Sequence, residues 1–196
     1  SVGTDDPLRA NALVAQGGIL AQLRAQDYAA AAAAALAFAA TASGDQAGTD
    51  ATNLAAAAQQ ANLFVEALDH AVAAGNVGYR GGDGTAYNVV RWDRKAQQLV
   101  VVDPQRKPAK EQTLSAAAFG PEIWANLAEQ VESPPAGSRV CFLGFQTLAA
   151  HGEAARSYLA RVQEQDDASG TGAGAYPLGS NLFDQLVRRL PEDDKL

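Results

Sequence analysis

Hydrophobic positions along this chain follow two different periods, and the change of period divides it. Leu54, Ala58, Ala61, Val65, Leu68 and Val72 recur in steps of four and three, which places them on one helical stripe, while Gln59, Gln60, Glu66 and Asp69 face away. Asp50 can cap this helix and Gly75 can close it. Upstream, Asp6-Pro7 predicts a helix start whose face runs Leu8, Asn11, Ala12, Ala15, Ile19, with a break at Gly17-Gly18. A second helix is expected from Asp27 to Ala40, followed by a loop of small polar residues from Ser43 to Thr49.

From Asn76 to Ser115 the period becomes two. Tyr87–Trp92 and Gln98–Val102 are β-branched and aromatic runs joined by Asp93-Arg94-Lys95-Ala96-Gln97, a connection of hairpin length. Val77–Arg80 and Glu111–Leu114 supply outer strands of a four-stranded meander, because a lone hairpin is marginal in water. Helical spacing then returns. Ile123, Trp124, Leu127 and Val131 follow Gly120-Pro121, and Ser133-Pro134-Pro135 stops that helix. Val140, Cys141, Phe142, Phe145 and Leu148 follow Ser138, and Tyr158, Leu159 and Val162 mark a helix over Glu153–Gln165. The predicted fold is α+β and mainly α-helical, with helical hairpins flanking a small antiparallel sheet at about residues 76–115. Its organisation is a helical segment 1–75, the sheet 76–115, a helical segment 116–167, a glycine-rich linker 168–179 and a C-terminal helix 180–196, the whole forming one cohesive unit.

Composition changes the picture in one respect. The chain of 196 residues is 47% hydrophobic, but 44 residues are alanine, so the helical core is built largely of methyl groups. Those figures suit a soluble globular protein and exclude collagen-like, disulfide-rich and disordered classes. Cys141 is the single cysteine, so neither an internal disulfide nor a paired-cysteine metal site can form; its apolar neighbours suit a buried small side chain. The run Tyr28–Ala42 is too short and too weakly apolar to span a bilayer. The chain begins at Ser1 and contains no methionine, as a processed or excised segment would, and no charged segment followed by an apolar one reads as a signal peptide. No compartment is legible.

Charge is unevenly spread. Residues 1–75 carry two basic and seven acidic side chains, net −5; residues 76–111 carry seven and four, net +3; residues 112–196 carry six and eleven, net −5. The basic centre contains the candidate binding residues Arg80, Tyr87, Arg91, Trp92, Arg94 and Lys95, with Tyr79, Arg106, Lys107 and Lys110 nearby. Cations interleaved with rings on an exposed sheet would suit single-stranded nucleic acid. Against that, an acidic whole with a pI of about 4.7 repels polyanions, and edge-strand cations also prevent sheet-to-sheet aggregation. The balance disfavours nucleic acid and favours a protein partner or self-association.

Catalytic chemistry is sparse. The only histidines are His70 and His151, each in the last turn of an expected helix, where a partial positive charge suits the dipole. Ten residues separate Cys141 from His151, about 15 Å along one helix, too far for a dyad. Arg80-Gly81-Gly82-Asp83-Gly84-Thr85 lacks the phosphate-loop pattern and reads as a hairpin turn. Asp166-Asp167 and Asp193-Asp194 lack calcium-loop spacing. No metal or other cofactor is expected.

Gln26-Asp27-Tyr28-Ala29-Ala30-Ala31, with Ala35 and Ala39, resembles the second helix of a tetratricopeptide-type hairpin, where small residues let paired helices pack closely. Leu148–Ala155 with Tyr158 is similar to the turn between two such helices. The resemblance covers residues 20–42 and 138–165, without the spaced Trp-Leu-Gly-Tyr pattern of a first helix or consecutive 34-residue repeats. It implies helical hairpins that serve as an interaction platform. The functional expectation is a non-catalytic interaction or scaffold module, or a subunit of a larger assembly. The alternatives are a hydrolase-type enzyme drawing on Cys141, His151, His70 or Asp83, and weak anion binding by the basic segment.

Overall fold

The structure is a computed structural model, and it describes residues 19–41, 44, 46–116 and 119–148. In chain order it comprises α1 (Ile19–Arg24), α2 (Tyr28–Thr41), α3 (Gln46–Ala73), β1 (Gly78–Arg80), β2 (Ala86–Asp93), β3 (Gln98–Val102), β4 (Glu111–Ser115), α4 (Pro121–Glu129) and α5 (Ser138–Leu148). The expected helices before Ile19 and after Leu148, the linker and the C-terminal segment lie outside the described residues.

Local chemistry explains most boundaries. The Asp27 carboxylate accepts from the Ala30 amide at 3.2 Å, which caps the first turn of α2. Gly75, at φ +76°, ends α3 by adopting the left-handed conformation that β-carbons disfavour. The third helix begins at Gln46, a turn before the Asp50 cap the sequence suggests. Gly48 is buried and its carbonyl accepts from the Thr52 hydroxyl one turn on at 2.9 Å, so this glycine belongs to the first turn of α3 and not to the loop. Gly120 precedes Pro121 at the start of α4, whose apolar stripe continues past Glu129 to the buried Val131.

The two long helices meet through small side chains. Ala31, Ala32 and Ala35 of α2 and Ala51, Ala55 and Ala58 of α3 are all buried, and alanine lets helix backbones approach closely at no rotamer cost. Larger residues fill the other side of α3. Phe142 of α5 stacks on Phe64 of α3 at 4.9 Å between centroids and meets Trp124 of α4 edge-on at 5.7 Å. Tyr28 is fully buried, with its ring 5.4 Å from Phe145 and its hydroxyl accepting from Gln146 Nε2 at 2.6 Å. One buried cluster therefore runs from α1 to α5 and into the sheet.

The sheet is an antiparallel meander in the order β1-β2-β3-β4, as the period of two predicts. Its register breaks between Val89 and Arg91: Val89 pairs with Val101, but Arg91 pairs with Val100 and Trp92 with Leu99. Strict alternation from Tyr87 and Val89 would turn Arg91 into the core and Trp92 to solvent. The extra residue reverses both. Tyr79, Tyr87, Val89, Trp92, Leu99, Val101 and Leu114 thus face the helices, with Trp92 only 8% exposed.

Candidate interaction surface

The face of the sheet away from the helices carries Arg80, Ala86, Asn88, Arg91, Gln98, Val100, Val102, Glu111, Thr113 and Ser115. All are exposed except Val102, which is half-buried, and Val100, which is buried at the centre of the sheet yet stands apart from the main core. The bulge residue Val90 is 44% exposed. Among the described residues no helix covers this side in the way that α3 covers the other.

The six residues singled out from sequence divide between the two faces. Arg80 and Arg91 lie on the open face. The Arg80 guanidinium donates to the Gly84 carbonyl at 3.3 Å, whereas that of Arg91 has no hydrogen-bond or ion-pair partner among the described residues. Lys95 is exposed in the β2–β3 turn. Arg94, in the same turn, is tied to the helices by an ion pair with Asp69 of α3 at 3.3 Å. Tyr87 and Trp92 point the other way. Tyr87 is half-buried beside Tyr79 at 6.2 Å, and Trp92 lies 5.5 Å from Trp124 and 6.5 Å from Phe142. A platform for single-stranded nucleic acid needs rings and cations on one exposed surface, and here they stand on opposite sides.

Partners of these residues that the sequence did not signal come from distant elements. Asp69 was legible only as a polar-face residue of α3. Burial raises its carboxyl above the ordinary range, and the attraction of Arg94 only partly offsets this. At the other side of the sheet, Gln130 ends α4 beside β1. Its side-chain amide accepts from the Gly78 N–H at 2.7 Å and donates to the Gly78 carbonyl at 3.0 Å. A side chain thereby replaces a neighbouring strand at that edge.

Of the groups that could do chemistry, the structure describes Cys141, His70 and Asp83. Burial pushes the Cys141 thiol up to about 12, which leaves it protonated and unreactive at neutral pH. His70 is exposed in the last turn of α3, and His151 lies outside the described residues. Asp83 is held below the ordinary carboxylate range by the Thr85 amide, which donates to it at 3.0 Å within the hairpin turn. Among the described residues no three His, Cys, Asp or Glu side chains gather as metal ligands would, and no helix is long and apolar enough to cross a membrane. In comparisons with known proteins, no family model, curated protein or solved structure matches this chain.

Proposed function

We propose that this protein is a non-catalytic interaction module that holds an acidic protein partner on the face of its sheet opposite α3. The observation that carries the reading is Arg91, which a β-bulge turns out of the core onto a surface where it has no carboxylate partner among the described residues, next to an exposed Val90. Arginine beside exposed aliphatic side chains is the composition enriched where proteins meet, and an unpaired guanidinium is available for a bidentate carboxylate contact. Lys95 and Arg80 extend the positive field in a chain whose other segments are acidic. The helical layer is then the scaffold that holds the sheet rigid. The close packing of α2 on α3 through buried alanines supports a scaffolding reading too, since such paired helices form a firm base for the sheet.

The test is capture from an extract of the source cells with the wild-type chain and with Arg91→Glu plus Lys95→Glu, both verified as folded by circular dichroism. The reading expects a specific protein bound by the wild type and depleted by the charge reversal. Identical captures would overturn it. Arg94 is unsuitable for this purpose, because its reversal also breaks the contact with Asp69.

A further inference from the structure

The two edges of the sheet are treated differently. At β1 the outward N–H and carbonyl of Gly78 are occupied by the Gln130 amide. At β4 the Ala116 amide donates to the Gln97 carbonyl at 2.8 Å, which makes that pair a hydrogen-bonded one. Alternation along the ladder then directs Gln112 and Leu114 toward β3 and turns the N–H and carbonyl groups of Glu111, Thr113 and Ser115 outward. These three residues are exposed, and no backbone or side-chain group among the described residues pairs with that edge. Cations flank both ends. Arg106, Lys107 and Lys110 lie in the exposed loop that leads into β4, and Lys95 lies in the turn beside its far end, where Gln97 meets Ala116.

The geometry points to β4 as a docking edge for an extended, acidic peptide segment of a partner protein, which adds a fifth strand to the sheet. Main-chain hydrogen bonds to Glu111, Thr113 and Ser115 supply the pairing, as in other strand-addition complexes. Charge supplies the choice of partner: a segment with carboxylates at each end of a β-forming core of about five residues, about 16 Å long, meets Lys110 and Lys107 at one end and Lys95 at the other. This inference rests on the interaction-module reading, and it names the partner's chemistry and the atoms that hold it.

The test selects binders from a random nine-residue peptide display library on the intact chain, then titrates the best synthetic peptide into ¹⁵N-labelled protein. Expected are enriched sequences with acidic residues at both ends, and amide shifts concentrated at Glu111, Thr113 and Ser115. Thr113→Pro removes one outward donor without touching the ladder to β3, so it should keep the fold and weaken binding at least ten-fold. Lys107→Glu plus Lys110→Glu should weaken it by a similar factor. The inference is overturned if no acidic peptide is enriched or if Thr113→Pro binds normally. It is equally overturned if sedimentation shows β4 occupied by a second copy, or if these amides are already protected in the free monomer. A captured partner lost on reversal of Arg91 and Lys95 but kept by Thr113→Pro would leave the interaction module standing and reject the edge alone.

Discussion

Replacing Phe142 with alanine removes the side chain on which the helical layer and the sheet converge. Its ring is fully buried and has four aromatic neighbours from four elements: Phe64 at 4.9 Å, Trp124 at 5.7 Å, Tyr28 at 6.3 Å and Trp92 at 6.5 Å. Phenylalanine-to-alanine changes in cores cost about 3–5 kcal/mol, more where the surroundings cannot close over the gap. Here α2, α3, α4 and β2 would all have to move inward together, and each lost ring pair adds about 0.5–1.5 kcal/mol beyond the area term. The expected loss is therefore near the upper end, about 4–5 kcal/mol, a large part of the roughly 5–15 kcal/mol that a domain possesses. Urea denaturation at 25 °C, followed by circular dichroism, reads this as a lower midpoint at unchanged slope, a shift of about 2 M or more for a typical slope. A loss below about 1 kcal/mol would show that Phe142 is not packed among these rings and would refute the convergence of helices and sheet upon it.

Three further outcomes follow from named contacts. Gln130→Ala should cost about 1–3 kcal/mol and speed hydrogen exchange at the Gly78 amide, since two backbone groups at the β1 edge lose their partner; unchanged exchange there would contradict the capping role. Asp69 has a folded-state pKa above its ordinary 3.8, so folding favours its protonated form, and its stabilising contribution is full below 3.8 and fades as pH rises through the folded value. Asp69→Asn should accordingly gain stability relative to wild type as pH rises from about 3 to about 7, and a relative loss would mean that the Arg94 attraction outweighs burial. Cys141 should resist a thiol reagent at about pH 8 in the native protein and react once the chain unfolds in urea; prompt native labelling would contradict its burial and raised pKa.

The elements were legible wherever local chemistry and periodicity agreed. Alternation and turn residues located all four strands, the Asp27 cap opened α2, and the stripe from Leu54 to Val72 identified the buried side of α3. Glycine beside threonine signals a loop at Gly48, whereas the structure makes it a buried residue in the first turn of α3, and burial is a tertiary property that local pattern does not encode. The candidate site was legible only as a set of residue types. Which ring or cation faces outward depends on a single inserted residue between Val89 and Arg91, and that insertion is decided by the cost of burying a guanidinium against the gain of burying an indole. Arg94 with Asp69, and Gly78 with Gln130, are pairings across distant parts of the chain that no local pattern encodes.

Under the proposed function the sheet's two faces have separate tasks, rings for the core and cations for the partner. The most direct test of that division is the affinity of the captured partner, measured by calorimetry for the wild type, for Trp92→Phe and for Arg91→Glu plus Lys95→Glu, with stability determined in parallel. Trp92→Phe is expected to lower stability and leave the dissociation constant unchanged, while the charge reversal is expected to weaken binding at least ten-fold with little change in stability. Binding that is lost with Trp92→Phe, at full stability, and retained by the charge reversal would contradict it.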